Sequence, residues 1–335
     1  TDADFNVAVG YGALTADTLG SMSVAVGYTA LGTQNMTTAT NALNVAVGQA
    51  AGSAITTGKE HTIIGGLAGD ALTTGDRNVI VGTNALGADT KGSRNVAIGY
   101  DSLKTQNFTT GTNAYNVGVG YSTGSAITTG AFNSILGALS GQSLTTGGDN
   151  VAFGYQSLRD DTLGSHSVAL GPRALKFQNL TTATDTYNTA VGSSAGLNVT
   201  TGINNTLIGG LAGSTLTDAD LNVAVGDNAL SADTLGSRST AIGRSALSSQ
   251  NFTTATDTYN VAVGFNAGTA VTTGIRNTIL GGQAGDALTD ADDNVAFGYL
   301  ALTSDVLGSR TTALGRGALG SQNLTTATNT HNVAV

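Results

Sequence analysis

Apolar and polar positions recur along this chain in one short phrase. Asn-Val-Ala-Val-Gly stands at 6–10 and again at 44–48, 222–226 and 260–264, with variants such as NVAIG (95–99), NVAFG (150–154), SVALG (167–171) and NTILG (277–281) between. The opening residues fall at 6, 23, 44, 61, 78, 95, 116, 133 and onward to 332, so the spacing runs 17, 21, 17, 17 and then repeats. Four rungs make a super-repeat of 72 residues, starting at 6, 78, 150, 222 and 294. Self-similarity at such a period predicts an array in which each unit packs mainly on its neighbours. One continuous array is expected over 1–335, both ends falling mid-repeat, as in a piece of a longer array or a subunit stacking end to end.

Within the phrase, the second and fourth residues share one face of a strand and the third takes the other. The fourth is always bulky and apolar, from Val9 to Val335; the second is usually Val or Thr, the third usually Ala. This predicts strands covered on both faces, with the second and fourth residues in the core and the small Ala against a close neighbour. Gly closes every complete phrase, from Gly10 to Gly315, as expected where a Cβ would block the backbone conformation or a close approach. Asn at the opening suits a stacked turn whose side-chain amides bond one another and the backbone along the array. A second short strand is expected in segments such as SAITTG (53–58) and DALTTG (70–75).

The fold class expected is therefore all-β: a parallel β-roll or β-solenoid with two short strands per 17- or 21-residue rung. A hexapeptide helix is excluded, because stepping by six from Val9 lands on Thr15 and Ser21. Eighteen rungs at ~4.8 Å would run roughly 85–90 Å. Each rung offers few apolar side chains, and a core that thin barely offsets the ordering of its residues. Together with the Ala face, this predicts self-association with chains side by side, three in number.

Composition narrows the function. Charged residues are 10% of 335, the net charge is −9, and the 13 basic residues are scattered singly, so no stripe exists to neutralise nucleic-acid phosphates. No apolar run is long enough to span a membrane. With no Cys there are neither disulfides nor thiolate metal sites.

The phrases SVAVG (23–27), NVAIG (95–99) and SVALG (167–171), each followed by a small residue three places on, resemble the head repeats of trimeric autotransporter adhesins. Similar phrases occur in bacteriophage tail-fibre and other structural proteins. The resemblance covers essentially the whole chain, although the family's repeat is usually shorter and no neck, stalk or anchor is seen. It implies a left-handed parallel β-roll of three chains, located outside the cell, at its surface or on a virion. The function expected is a non-enzymatic structural component of an extracellular fibre or filament. The alternative is a receptor- or surface-binding adhesin or tail-fibre segment with a cell-surface or glycan target.

Candidate chemistry is sparse, and no catalytic, cofactor or metal residue is assigned. His61 replaces an opening Asn, His331 stands where Tyr115, Tyr187 and Tyr259 stand elsewhere, and His166 is the third histidine. The Asp pairs at 2–4, 218–220 and 290–292 are oxygen-rich enough for Ca²⁺, but the matching turns read TTGD (73–76) and TTGG (145–148), which favours solvated turns. Adjacent threonines of TTG point to opposite faces, which argues against an ice-binding plane. Tyr11, Tyr28, Tyr100, Tyr155 and Tyr299 follow the Gly and suit either sugar stacking or covering the side of the array. The 21-residue rung adds a polar corner, QN-[MFL]-TT, whose Asn35, Asn107, Asn179, Asn251 and Asn323 match the N-glycosylation tripeptide. Five copies derived by duplication count as nearly one observation, and the plainer reading is a turn with its Met, Phe or Leu tucked inward.

Overall fold

The computed structural model describes residues 3–335. The chain forms two compact units, the first running to His166 and taking in Thr181–Thr184, the second comprising Ser167–Leu180 and Asp185–Val335. Each is a parallel β-solenoid.

In the first unit the phrase forms a three-residue strand in every rung. Val7–Val9, Val24–Val26, Val45–Val47, Thr62–Ile64, Val79–Val81, Val96–Ile98, Val117–Val119, Ser134–Leu136 and Val151–Phe153 pair in that order, all parallel. The second unit repeats the arrangement from Val168–Leu170 to Val333–Ala334. Register never slips: Val7 faces Val24, and Val24 faces Val45, so equivalent residues stack in columns. The four-residue excess of the long rung is absorbed away from this sheet.

The closing Gly has φ of +142° at Gly48, and a Cβ there would lie 2.4 Å from the carbonyl oxygen of Gly65 in the next rung. Both expected reasons for Gly therefore hold at once. The opening residues form the expected ladder. Asn95 Oδ1 accepts the backbone N–H of Asn116 (3.1 Å), and Asn116 Oδ1 that of Asn133 (2.9 Å), while Asn116 Nδ2 donates to Gly130 O (2.7 Å).

Two expectations are corrected. The segments at 53–58 and 70–75 are turns, not strands. A second strand is confined to residue pairs where a 17-residue rung meets a 21-residue one: Gly20–Ser21 with Thr40–Asn41, Gly92–Ser93 with Thr112–Asn113, and likewise Gly236–Ser237 with Thr256–Asp257. After the Gly the chain enters left-handed conformations that an extended strand cannot adopt, such as Asp101 (φ 55°) and Leu103 (φ 49°). Rung-to-rung bonds continue there nonetheless, as from Leu103 N to Thr123 O (3.0 Å).

The second correction concerns the faces of the strand. The third residue, not the second and fourth, points into the solenoid: Ala25, Ala46, Ile63, Ile80, Ala97 and Ile135 are fully buried, whereas Val47 and Ile64 are exposed. The reason lies later in the rung. Counting the opening residue as one, position nine is Leu in two successive rungs of each super-repeat and Gly in the other two. Where it is Leu (Leu31, Leu86, Leu103, Leu158), that side chain fills the interior. Where it is Gly, position twelve is apolar and fills it instead, as Ile55, Leu72, Ile127 and Leu144 do. The third residue supplies what space is left. A Cβ on Gly69 would lie 2.7 Å from Cδ1 of Ile80, so the Ile occupies room that a Leu at position nine takes elsewhere.

In the Leu rungs position twelve is instead Asp in the short rung and Gln in the long one, and they pair: Gln34 with Asp17 (2.5 Å), Gln106 with Asp89 (2.6 Å), Gln250 with Asp233 (2.5 Å). The super-repeats starting at 78 and 222 thus alternate two apolar-centred rungs with two that hold a buried acid–amide pair.

Candidate interaction surface

With the third residue turned inward, the second and fourth are turned out, and register stacks them into two parallel columns. In the first unit the fourth-position column reads Val26, Val47, Ile64, Val81, Ile98, Val119, Leu136, Phe153; in the second it includes Ile208, Ile242, Leu280 and Phe297. Leu136 is 45% exposed, Phe153 43% and Phe297 53%. No second or fourth residue of any rung is charged, and no fourth residue is polar. Nine strands at about 4.8 Å and two columns roughly 7 Å apart make a strip on the order of 300 Å² in the first unit. Apolar residues scattered singly over a surface need no explanation; here they form one contiguous strip.

Charge gathers on a different column, the residue before the opening one. Arg77 pairs with Glu60 (2.6 Å) and Arg276 with Asp293 (2.6 Å) along this column, while Arg238 reaches out of it to Asp257 in the next rung (2.9 Å). Arg276 holds the Asp293 carboxyl below its ordinary range. Aromatic residues join this column, Tyr115 stacking on Phe132 with centroids 5.9 Å apart and Arg94 lying over the Tyr115 ring. Of the tyrosines that follow the Gly, Tyr11 stacks on Tyr28 and Tyr100 on Tyr121, at 5.6 and 5.7 Å. Each pair covers one face of both rings, which reduces what a sugar could stack on. A shallow depression beside the first pair is lined by Gly12, Thr15, Thr29, Gly32 and Thr33. The hydroxyls of Thr15 and Thr33 already donate to the carbonyls of Gly12 and Ser53.

The titratable residues singled out from the sequence are dispersed. His61 is buried in the opening-residue ladder, where its ring reproduces an asparagine: Nδ1 accepts the Asn78 N–H (3.2 Å) and Nε2–H donates to Gly75 O (2.8 Å). Burial lowers its pKa to about 4, against the raising effect of those backbone bonds. His166 lies 4.0 Å from Asp149, and His331 is exposed. Asp218 accepts the Thr201 hydroxyl and Asp220 the Ile203 N–H, one rung apart; Asp290 and Asp292 do the same for Thr273 and Ile275. Of the first pair, Asp2 lies outside the described residues, and Asp4 N–H donates to Ser21 Oγ. Among the described residues no three His, Asp or Glu converge as metal ligands.

Asn35, Asn179, Asn251 and Asn323 are exposed and Asn107 half-buried, and the intervening Met36, Phe108, Leu180 and Phe252 are tucked inward, as the plainer reading expected. What the sequence reading missed is the buried carboxylate. Asp89 is fully buried, with no ion-pair partner among the described residues, and burial raises its pKa against bonds from Gln106, Phe108 N and Gly92 N. The signal was present in the fixed alternation of Asp and Gln at position twelve. Among the described residues, no helix is long and apolar enough to cross a membrane. No protein-family model matches the chain, and no curated protein matches it.

Proposed function

We propose that this chain is a non-catalytic structural segment of an extracellular fibre, its copies packed side by side through the uncharged outer columns. Three chains around a common axis, each a left-handed roll, is the arrangement that the likeness to adhesin-head repeats favours. The observation that carries the reading is the fourth-position column, apolar in every rung and half-exposed in the single chain. Burying a strip on the order of 300 Å² is worth about 7–8 kcal/mol, within the roughly 4–15 kcal/mol that association costs. Association through this face therefore draws on many rungs at once, which gives repetition a use. The nearly invariant inner ladder and the charges paired from rung to rung suit a spacer better than a unique binding site; a surface-binding adhesin or tail-fibre segment is the second reading, favoured only by the exposed tyrosines.

Light scattering on the purified chain tests this. A mass of three chains is expected, and the Ile64→Asp, Leu136→Asp double variant should run as one chain with unchanged circular dichroism. A stable, folded single chain for the unaltered protein overturns the proposal.

A further inference from the structure

The 21-residue rungs turn through corners that the outer columns do not use. We propose that Asn35, Asn107, Asn251 and Asn323 are acceptor sites for N-linked saccharide. The proposal rests on the extracellular destination argued above.

Three features of the corner carry it. First, Asn and the Thr two places on share its outer side while the residue between them points inward. Thr37, Thr109, Thr253 and Thr325 are exposed, whereas Met36, Phe108 and Phe252 are buried. Second, the carboxamide is held by its oxygen only. Oδ1 of Asn35, Asn107 and Asn251 accepts a hydroxyl from the preceding rung, from Thr18 (3.1 Å), Thr90 (3.0 Å) and Thr234 (3.1 Å). Among the described residues, their Nδ2 groups donate to nothing. The opening-residue amides, by contrast, spend Nδ2 on backbone carbonyls, as Asn116 does on Gly130. Third, the corner is anchored from beneath: Asp89 Oδ1 accepts Phe108 N–H (3.1 Å) and Asp233 Oδ1 accepts Phe252 N–H (3.0 Å). A bulky substituent on Nδ2 would therefore displace no packed group.

The chain holds its own comparison. Asn198 and Asn204 also head Asn-x-Thr tripeptides. Asn198 and Thr200 are both half-buried, and Thr206 begins the strand Thr206–Ile208 directly after the buried ladder residue Asn205. In both the Thr is half-buried, whereas it is exposed at all four corners.

The transfer requires a saccharide carried on a lipid phosphate and its transferase. Nδ2 bonds to the sugar C1 as the C1–O bond breaks, the lipid phosphate leaves with the electron pair, and one amide proton passes to a base of the enzyme.

The test is peptide mapping by mass spectrometry on the chain isolated from its native source, cells and surrounding medium analysed separately. Saccharide mass is expected on the peptides holding Asn35, Asn107, Asn251 and Asn323 and none on those holding Asn198 or Asn204. Treatment with a peptide N-glycosidase should leave Asp at the occupied positions. The variants Thr37→Ala and Thr109→Ala should each lose the modification at their own corner, and Thr37→Ser should retain it. Unmodified corners in extracellular material overturn the acceptor proposal and leave the fibre reading standing. Chain found only inside cells, with unmodified corners, overturns both.

Discussion

Gln106 Nε2 donates to the Asp89 carboxylate at 2.6 Å, joining adjacent rungs, while Gln106 Oε1 accepts from Asn116 Nδ2 at 2.8 Å. One carboxamide therefore ties a buried acid to the opening-residue ladder of the rung above. Its removal strands groups on both sides, and a lost partner for a buried charge costs more than an ordinary hydrogen bond. Gln106→Leu should lower stability by about 2–4 kcal/mol, read from urea unfolding followed by circular dichroism. Asp89→Asn should cost less, because it leaves no charge to desolvate. An equal loss in the two would show that the carboxylate's burial does not matter.

His61 gives the chain an acid-sensitive position. Its folded pKa of about 4 lies below the unfolded 6.5, so the neutral ring contributes fully above pH 6.5 and that contribution is lost as pH falls toward 4. The gap corresponds to about 3 kcal/mol. Asp89 acts in the opposite sense: its raised pKa means that the fold binds this proton more tightly, so protonation relieves strain there and stability falls as pH rises through the folded value. His61→Asn, which restores the ladder amide, should abolish most of the loss between pH 6.5 and 4. Melting curves for both proteins across that range decide it; parallel curves would refute the assignment.

The Gly column admits no side chain. Gly48→Ala puts a Cβ 2.4 Å from the Gly65 carbonyl oxygen at a φ of +142°. Neither the rung above nor the backbone can yield without breaking the in-register ladder. A loss of at least about 3 kcal/mol is expected, whereas Gly66→Ala, where a Cβ would meet nothing within 4 Å, should be nearly neutral. Denaturant midpoints of the pair provide the comparison.

Two leucines separate inside from outside. Leu103 is fully buried and Leu136 is 45% exposed. In the Ile64→Asp background, chosen to weaken association, Leu103→Ala should cost about 2–5 kcal/mol and Leu136→Ala less than about 1 kcal/mol. Similar costs would mean that the faces have been assigned the wrong way round.

The rung period, the parallel stacking and the roles of Asn and Gly were legible because each is imposed once per rung by the backbone, so eighteen copies report the same constraint. His61 was legible for the same reason: it stands in a column whose chemistry its neighbours define. The inward face was not. Val9 and Ala8 are both apolar, and a strand of three residues is too short for alternation to tell core from contact surface. The evidence lay outside the phrase, in the exchange of Leu103 for Gly124 and of Gln106 for Ile127 between one rung and the next. The left-handed Leu103 was invisible as well, since burial of its side chain offsets a conformation that local preference disfavours. The Asp–Gln pairs were missed because nothing in the phrase says that position twelve turns inward.

Those acid–amide pairs also act on the assembling chain. Rungs that all share one opening phrase can stack wrongly by skipping a neighbour, and every Asn and Gly column would still match. The interior would not: a skipped rung sets Asp89 beside an aliphatic such as Ile127 in place of Gln106, a mismatch that the phrase itself cannot detect. The 72-residue rhythm thus disfavours a skipped rung that the repeated phrase alone would tolerate, a second and coarser pattern laid over a monotonous chain.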